Sequence, residues 1–230
     1  MHGGGGRVAL KFGLALFPPD LSPAFLSTAL RATWQTIAYA VAGLTLAVMI
    51  GLPLGIIASG TIFSSSSRLR LPVIAVTRLL LAGLRSIHEL VWAVLFVAAI
   101  GLSPVAAIFA LGLPYGGILG RIYAELLQEA PGEPLRALRA AGASPWRLVF
   151  YGYVPMSLPD MVGYTFYRFE CAIRSAAILS FVGIQGLGYQ LQLSLRDLLF
   201  DQVWTLLLFL VAVIVVVDLW SGRVRRSLAS

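Results

Sequence analysis

The sequence predicts an all-α integral membrane protein, a polytopic bundle of about five transmembrane helices, and three observations lead there. Of 230 residues, 59% are hydrophobic and 12% charged, with a mean hydropathy of +0.88. That is about half the charge of a soluble domain. The apolar residues come in runs near or above the ~20 that cross a bilayer. These runs lack the alternation of a membrane barrel, which leaves helices, whose backbone groups are satisfied within their own segment.

The spans read in order as Arg31 to Ser59, Leu71 to Ile100, Pro104 to Leu127, Leu148 to Val182 and Val203 to Trp220. Helix breakers interrupt three of them: Pro53, then Pro114 with Gly116 and Gly117, then Pro155 and Pro159. Single prolines are tolerated where neighbouring helices pack on them, but together they suggest bent helices around a pathway. Arg68 and Arg70, then Arg136, Arg139 and Arg147, then Arg223, Arg225 and Arg226 mark one side as cytoplasmic. The division expected is an external segment at 1–30, a transmembrane domain at 31–222 with a cytoplasmic loop at 130–147, and a cytoplasmic tail at 223–230. The basic residues Arg7 and Lys11 sit awkwardly on an external N-terminus, whose first residues superficially resemble a signal peptide.

A net charge of +7 does not indicate nucleic acid here, because the arginines stand at the ends of apolar runs rather than on one basic face. Cys171 is the single cysteine, and His2 and His88 are too far apart to suggest a metal centre. No convergent set of nucleophile and base can be assembled, so the chain is not expected to be an enzyme. Lys11 is the only lysine and no phosphate-binding loop is present, so no cofactor is expected on this chain.

Glu133 to Gly142 is too short and too charged to cross lipid, yet it carries strong helix signals. Pro134 suits a first helical position, Gly142 a left-handed stop, and Leu135, Leu138 and Ala141 recur on one face while Arg136 and Arg139 take another. Ser144 and Pro145 restart a helix through Trp146 and Arg147 into the fourth span. The product is a knob on the cytoplasmic surface that suits a groove of a soluble partner; an amphipathic helix lying on headgroups is the alternative.

A charge in mid-bilayer costs about 2.5–3.5 kcal/mol on insertion scales, so it normally faces the bundle interior and has a partner. The second span carries Arg78, Arg85 and Glu89 on one face, and Arg85 and Glu89 have the spacing to pair. Glu170 with Arg174, and Arg121 with Glu125, repeat that spacing, and Arg168 stands nearby. Arg78, Arg121 and Glu125 read best as structural. Arg174 with Ser175, late in the fourth span, suits either a structural pair or transient contact with an anion that presents paired oxygens, because a guanidinium fork matches two of them. Arg85, Glu89, Arg168, Glu170, Arg174 and Ser175 are therefore the candidate pathway residues. Gly183, Gly186 and Gly188 have the wrong order for a nucleotide fingerprint and suit a tight external turn or re-entrant segment.

The stretch Arg136-Ala137-Leu138, then Gly142, then Gly152-Tyr153-Val154-Pro155 resembles the loop of binding-protein-dependent ABC import permeases. That pattern runs Glu-Ala-Ala, three residues, Gly, nine residues, Ile-x-Leu-Pro. Ala137, Gly142 and Pro155 match, whereas Arg136 replaces the leading Glu and Glu133 lies one turn earlier. The segments 17–26, 85–104, 117–129 and 164–191, with the tail VDLWSGRVRR, look like phosphonate-importer permeases in particular. His88 stands where such sequences often have Pro, and the transmembrane helix that usually precedes FPPDLSP is absent, an absence that a shortened gene start would account for. The resemblance implies a type I importer permease in the inner membrane of a bacterium, with its C-terminus cytoplasmic. It also implies that Glu133, Arg136, Ala137, Leu138, Gly142, Pro145 and Pro155 couple to an ATPase. The implied partners are a second permease copy or close paralogue, two ATPase subunits holding ATP and Mg, and an external substrate-binding protein. The substrate would be a phosphonate, phosphite or phosphate; a permease for methionine or an osmoprotectant, or a secondary carrier, is the alternative.

Overall fold

The structure, a computed structural model, describes residues 11–13, 18–63 and 68–228, and all regular structure among them is helical. The elements are α1 (Pro23–Ser59), α2 (Arg70–Ser86), α3 (Glu89–Ile100), α4 (Pro104–Glu129), α5 (Gly132–Ala140), α6 (Pro145–Leu148), α7 (Val154–Leu179), α8 (Leu187–Arg196) and α9 (Phe200–Leu228). A π-type turn (Val149–Tyr153) joins α6 to α7, and a 3₁₀ turn (Ser180–Val182) follows α7. Arg7, most of the signal-like N-terminus and the last two residues lie outside the described residues.

Three helices, α1, α4 and α9, are long and apolar enough to cross a membrane alone. Two bent pairs bring the number to as many as five: α2 with α3, turned by 85°, and the Pro145–Val182 stretch with α8, turned by 47°. This corrects the expectation of one continuous span from Leu71 to Ile100. The chain breaks at Ile87–His88, where His88 is extended and its Nδ1 accepts from the Leu90 N–H at 3.2 Å. That side-chain cap starts a new helix in the middle of an apolar run. The stretch 186–202 is likewise no simple loop, because it holds α8. The first span starts at Pro23 rather than Arg31, and α9 continues through the tail to Leu228.

The centre of the bundle is the α1–α4 contact, built backbone against backbone. A Cβ on Gly51 would lie 3.0 Å from the Gly120 nitrogen, and one on Gly55 would lie 2.9 Å from the Gly120 carbonyl oxygen. Small residues matter here because lipid supplies no hydrophobic force between helices, and close van der Waals packing must take its place. Around this seam Tyr39, Leu111, Leu119, Ile173 and Leu179 form the main core with alanines of α1, α3, α4 and α7.

Two features hold the opposite end of the bundle from α5. The Thr36 hydroxyl accepts from the Leu187 N–H at 3.0 Å, supplying the cap that Gly186 cannot give to α8. Asp20 accepts from the Ser22 N–H at 2.9 Å and from Gln202 at 3.3 Å, which ties the lead-in of α1 to α9. The Ser22 hydrogen bond holds the Asp20 carboxyl below its ordinary pKa.

Candidate coupling surface and intramembrane polar face

Helix α5 starts at Gly132, so Pro134 lies within its first turn instead of opening it. It ends as its sequence suggests. Gly142 has φ +79°, its N–H donates to the Arg139 carbonyl, and the Ala143 N–H donates to the Leu138 carbonyl. These are the paired reverse bonds of a Schellman stop. Ser144 precedes α6 as expected, but its hydroxyl makes no cap bond.

The apolar side of α5 is consumed by the chain itself. Leu135, 3% exposed, packs with Leu127, Leu148, Val149 and Tyr153, with Leu138 and Ala143 at the margin. A Cβ on Gly152 would come within 2.6 Å of the Leu135 side chain, so the glycine lets α5 seat on the wide turn. Pro155 stands just past that turn, where its missing N–H suits a locally widened ladder. Arg139, read as part of an outward basic face, instead donates to the Tyr153 hydroxyl at 2.8 Å. Glu133, Arg136, Ala137 and Gly142 are exposed, Leu138 and Pro145 half-buried. Beside them Trp146 and Phe150, both exposed, stack at 6.1 Å.

Within the spans, two expected pairs are absent, and each of the two carboxylates takes another partner. Arg85 and Glu89 do not pair, because the break at Ile87–His88 takes them off a common helix. Arg85 has no hydrogen-bond or ion-pair partner among the described residues. Glu89 accepts from the Ser175 hydroxyl at 2.7 Å, and Ser175 lies 2.9 Å from the Tyr115 hydroxyl. Serine has one proton to give, so Tyr115 donates to Ser175, which donates to the carboxylate. His88 Nε2 stands 3.8 Å from the same carboxylate.

Glu170 does not pair with Arg174. It accepts from Arg225 of α9 at 3.2 Å, while Arg174 is exposed and touches the Cys171 sulfur at 3.3 Å. Arg121 and Glu125 do pair, at 2.7 Å. Arg168 sits among three tyrosine rings, Tyr115, Tyr164 and Tyr167, with its guanidinium carbon 5.5–5.7 Å from their centroids, and donates to the Tyr164 hydroxyl. Tyr115 and Tyr164 were not singled out from sequence, and Arg225 was read only as a charge marking the cytoplasmic side. The aromatic spacing around Arg168 was a sign of Tyr164 alone, since Tyr115 stands on α4.

The glycine turn is tight, as expected. Gly183 takes φ +102°, and a Cβ on Gly188 would collide with the Ala177 carbonyl. The turn brings α8 directly against α7, and no side chain fits at Gly188.

Helices of membrane-spanning length and hydropathy, with charged and polar groups among them and an amphipathic knob seated at one end, fit a membrane transport component. Residues 51–230 match the family described as the binding-protein-dependent transport system inner membrane component, and the chain belongs to that family. It is 32% identical over 209 residues to the phosphite transport system permease protein PtxC of Stutzerimonas stutzeri, covering 91% of this chain and 74% of that one. It is also 32% identical over 194 residues to the phosphate-import permease protein PhnE of Mycolicibacterium smegmatis, covering 84% of this chain and 36% of the relative. Among solved structures, the permease fold recurs in the inward-facing MetNI methionine ABC transporter, with a TM-score of 0.79 over 90% of this chain and 99% of that one, at 22% identity. The chain is therefore an inner-membrane part of a multi-component transporter, with a type I importer fold and no enzymatic role of its own.

Proposed function

We propose that this chain is the permease through which an ATP-driven importer passes a phosphorus oxyanion, of the phosphite, phosphonate or phosphate class, into the cell. The observation that carries the coupling half is the burial of Leu135 against the chain's own wide turn. With its apolar side occupied, α5 has little to offer a lipid surface, and it turns Glu133, Arg136 and Ala137 outward for a protein partner. The substrate half is supported by the names of the relatives and by arginines within the spans that outnumber their carboxylate partners.

The exposed charges argue for a second copy. Arg85, Arg121 and Arg174 are exposed on a single chain, and lipid disfavours such contacts, so their side faces an aqueous pathway between two permeases. Two ATPase subunits, carrying ATP and Mg, dock on the α5 knobs, and an external binding protein delivers the anion on the far side. The arginine-rich loops support a cytoplasmic side for α5 and the C-terminus, by the positive-inside rule. Selection resides mainly in the binding protein, since tight binding inside a pathway would slow release.

Reconstitution of the permease with ATPase and binding-protein subunits in proteoliposomes tests this. ATP hydrolysis is expected to rise when the binding protein carries phosphite or a phosphonate. Failure to form any complex with an ATPase would remove the coupling assignment, and stimulation by methionine alone would remove the substrate assignment.

A further inference from the structure

Between α2 and α4 lies a cavity of about 300 Å³ lined by Arg78, Leu81, Arg85, Arg121, Ala124, Glu125 and Gln128. Three guanidiniums and one carboxylate share it, and the carboxylate is committed to Arg121. Arg78 spends its Nε on the Ala58 carbonyl at the end of α1, at 3.1 Å, and Gln128 donates to the Ser59 carbonyl at 2.8 Å. These bonds fix the walls but neutralise nothing. Arg85 has no partner at all among the described residues.

The cavity thus holds two uncompensated positive charges on an exposed face of a transmembrane bundle, where contact with lipid would be costly. Its position is set by close packing. Gly117 of α4 has no room for a Cβ, which would lie 2.9 Å from the Leu81 carbonyl oxygen and 3.1 Å from the Arg85 nitrogen. That contact holds the Arg85 backbone on α4, one helical turn above Arg121. The ligand that suits such a place is small, doubly charged at most, and rich in acceptors, because guanidinium forks bind paired oxygens.

We propose that this cavity is a transit site for a tetrahedral phosphorus oxyanion, held by Arg85 with Arg78 and Arg121 of a single protomer on the α5 side of the bundle. The proposal rests on the oxyanion reading of the transporter and adds to it the residues that handle the anion. Arg78 and Arg121, read from sequence as structural, become part of the pathway, and Arg85 keeps its place there for a different reason than pairing with Glu89. Cavity volume well above that of one anion leaves room for water, which suits brief residence.

The test is protection of a single cysteine. In membranes containing the full-length permease with Cys171→Ser and Gln128→Cys, the rate of modification by a charged thiol reagent is measured with phosphite, methylphosphonate or phosphate present, and with chloride at equal ionic strength. Several-fold slowing by the oxyanions and none by chloride is expected. With each variant's own anion-free rate as its reference, Arg85→Gln with Arg121→Gln should abolish that slowing, and Arg85→Lys should weaken it. Absence of protection, equal protection by chloride, or protection that survives the double substitution overturns the site. A separate uptake assay with the assembled transporter keeps the two ideas apart. Protection without uptake of these anions would leave the site standing and remove the import reading, and uptake without protection would do the reverse.

Discussion

At the scale of single residues, the ionisable groups in the spans found partners that spacing alone does not reveal. Glu170 lies four residues from Arg174, and the helical neighbour rule favours that pair, yet Arg225 lies 55 residues away and reaches the carboxylate first. A partner on another helix also satisfies the need to neutralise a nearly buried acid, and sequence distance carries no signal of it. The Glu170 side chain is 11% exposed and Arg225 34% exposed, so this contact pins α9 to α7 from a half-sheltered position. Glu170→Gln is expected to lower the thermal stability of the detergent-solubilised protein by about 1–3 kcal/mol, the range for a buried polar contact left short of its charge. Arg174→Gln, whose guanidinium touches only the Cys171 sulfur, should shift it far less. Equal losses in the two variants would show that the contact with Arg225 does not hold α9.

At the scale of elements, the legible parts were those encoded by local chemistry. The Gly142 stop, the proline-led starts of α4 and α6, and the apolar lengths of α1, α4 and α9 all follow from propensity, capping and hydropathy. The break between α2 and α3 was hidden because histidine is not a usual cap and the apolar run continues through it. The polar chain Tyr115–Ser175–Glu89 was hidden because it depends on that break. For α5 the local reading was sound, but what its leucines touch was not legible, since Gly152 offers the seat from beyond the next turn. The two sides of α5 should respond differently. Leu135→Ala removes a fully packed side chain and is expected to destabilise the knob by about 2–5 kcal/mol. Arg136→Glu, on the exposed face, should leave stability within about 0.5 kcal/mol while weakening capture of the ATPase. Pull-down of the ATPase by each variant, beside its melting curve, checks this. Undiminished capture by Arg136→Glu would take that residue out of the docking face.

At the scale of the whole molecule, the exposed surface divides into two kinds. Helices α1 and α9 expose Met49, Val211, Val215 and Val216, the residues expected against acyl chains. Helix α7 exposes Tyr167, Arg174 and Ile178 along one stripe, with Arg168 beside it, and α2 and α4 expose Arg85, Arg121 and Glu125. A chain that met lipid all round would have no reason for the second kind, so the two surfaces should tolerate a new charge unequally. Val215→Asp places a carboxylate on the apolar side near the middle of α9, where insertion costs about 2.5–3.5 kcal/mol. Tyr167→Asp places the same group mid-helix in α7, beside Arg168 and about two helical turns before Arg174, where water and two guanidiniums can offset that cost. Quantifying membrane-inserted protein after equal expression should show Val215→Asp strongly depleted and Tyr167→Asp close to the unsubstituted chain. Depletion of both to the same extent would mean that the α7 stripe faces lipid or a dry contact, and the aqueous pathway would have to lie on another side of the bundle.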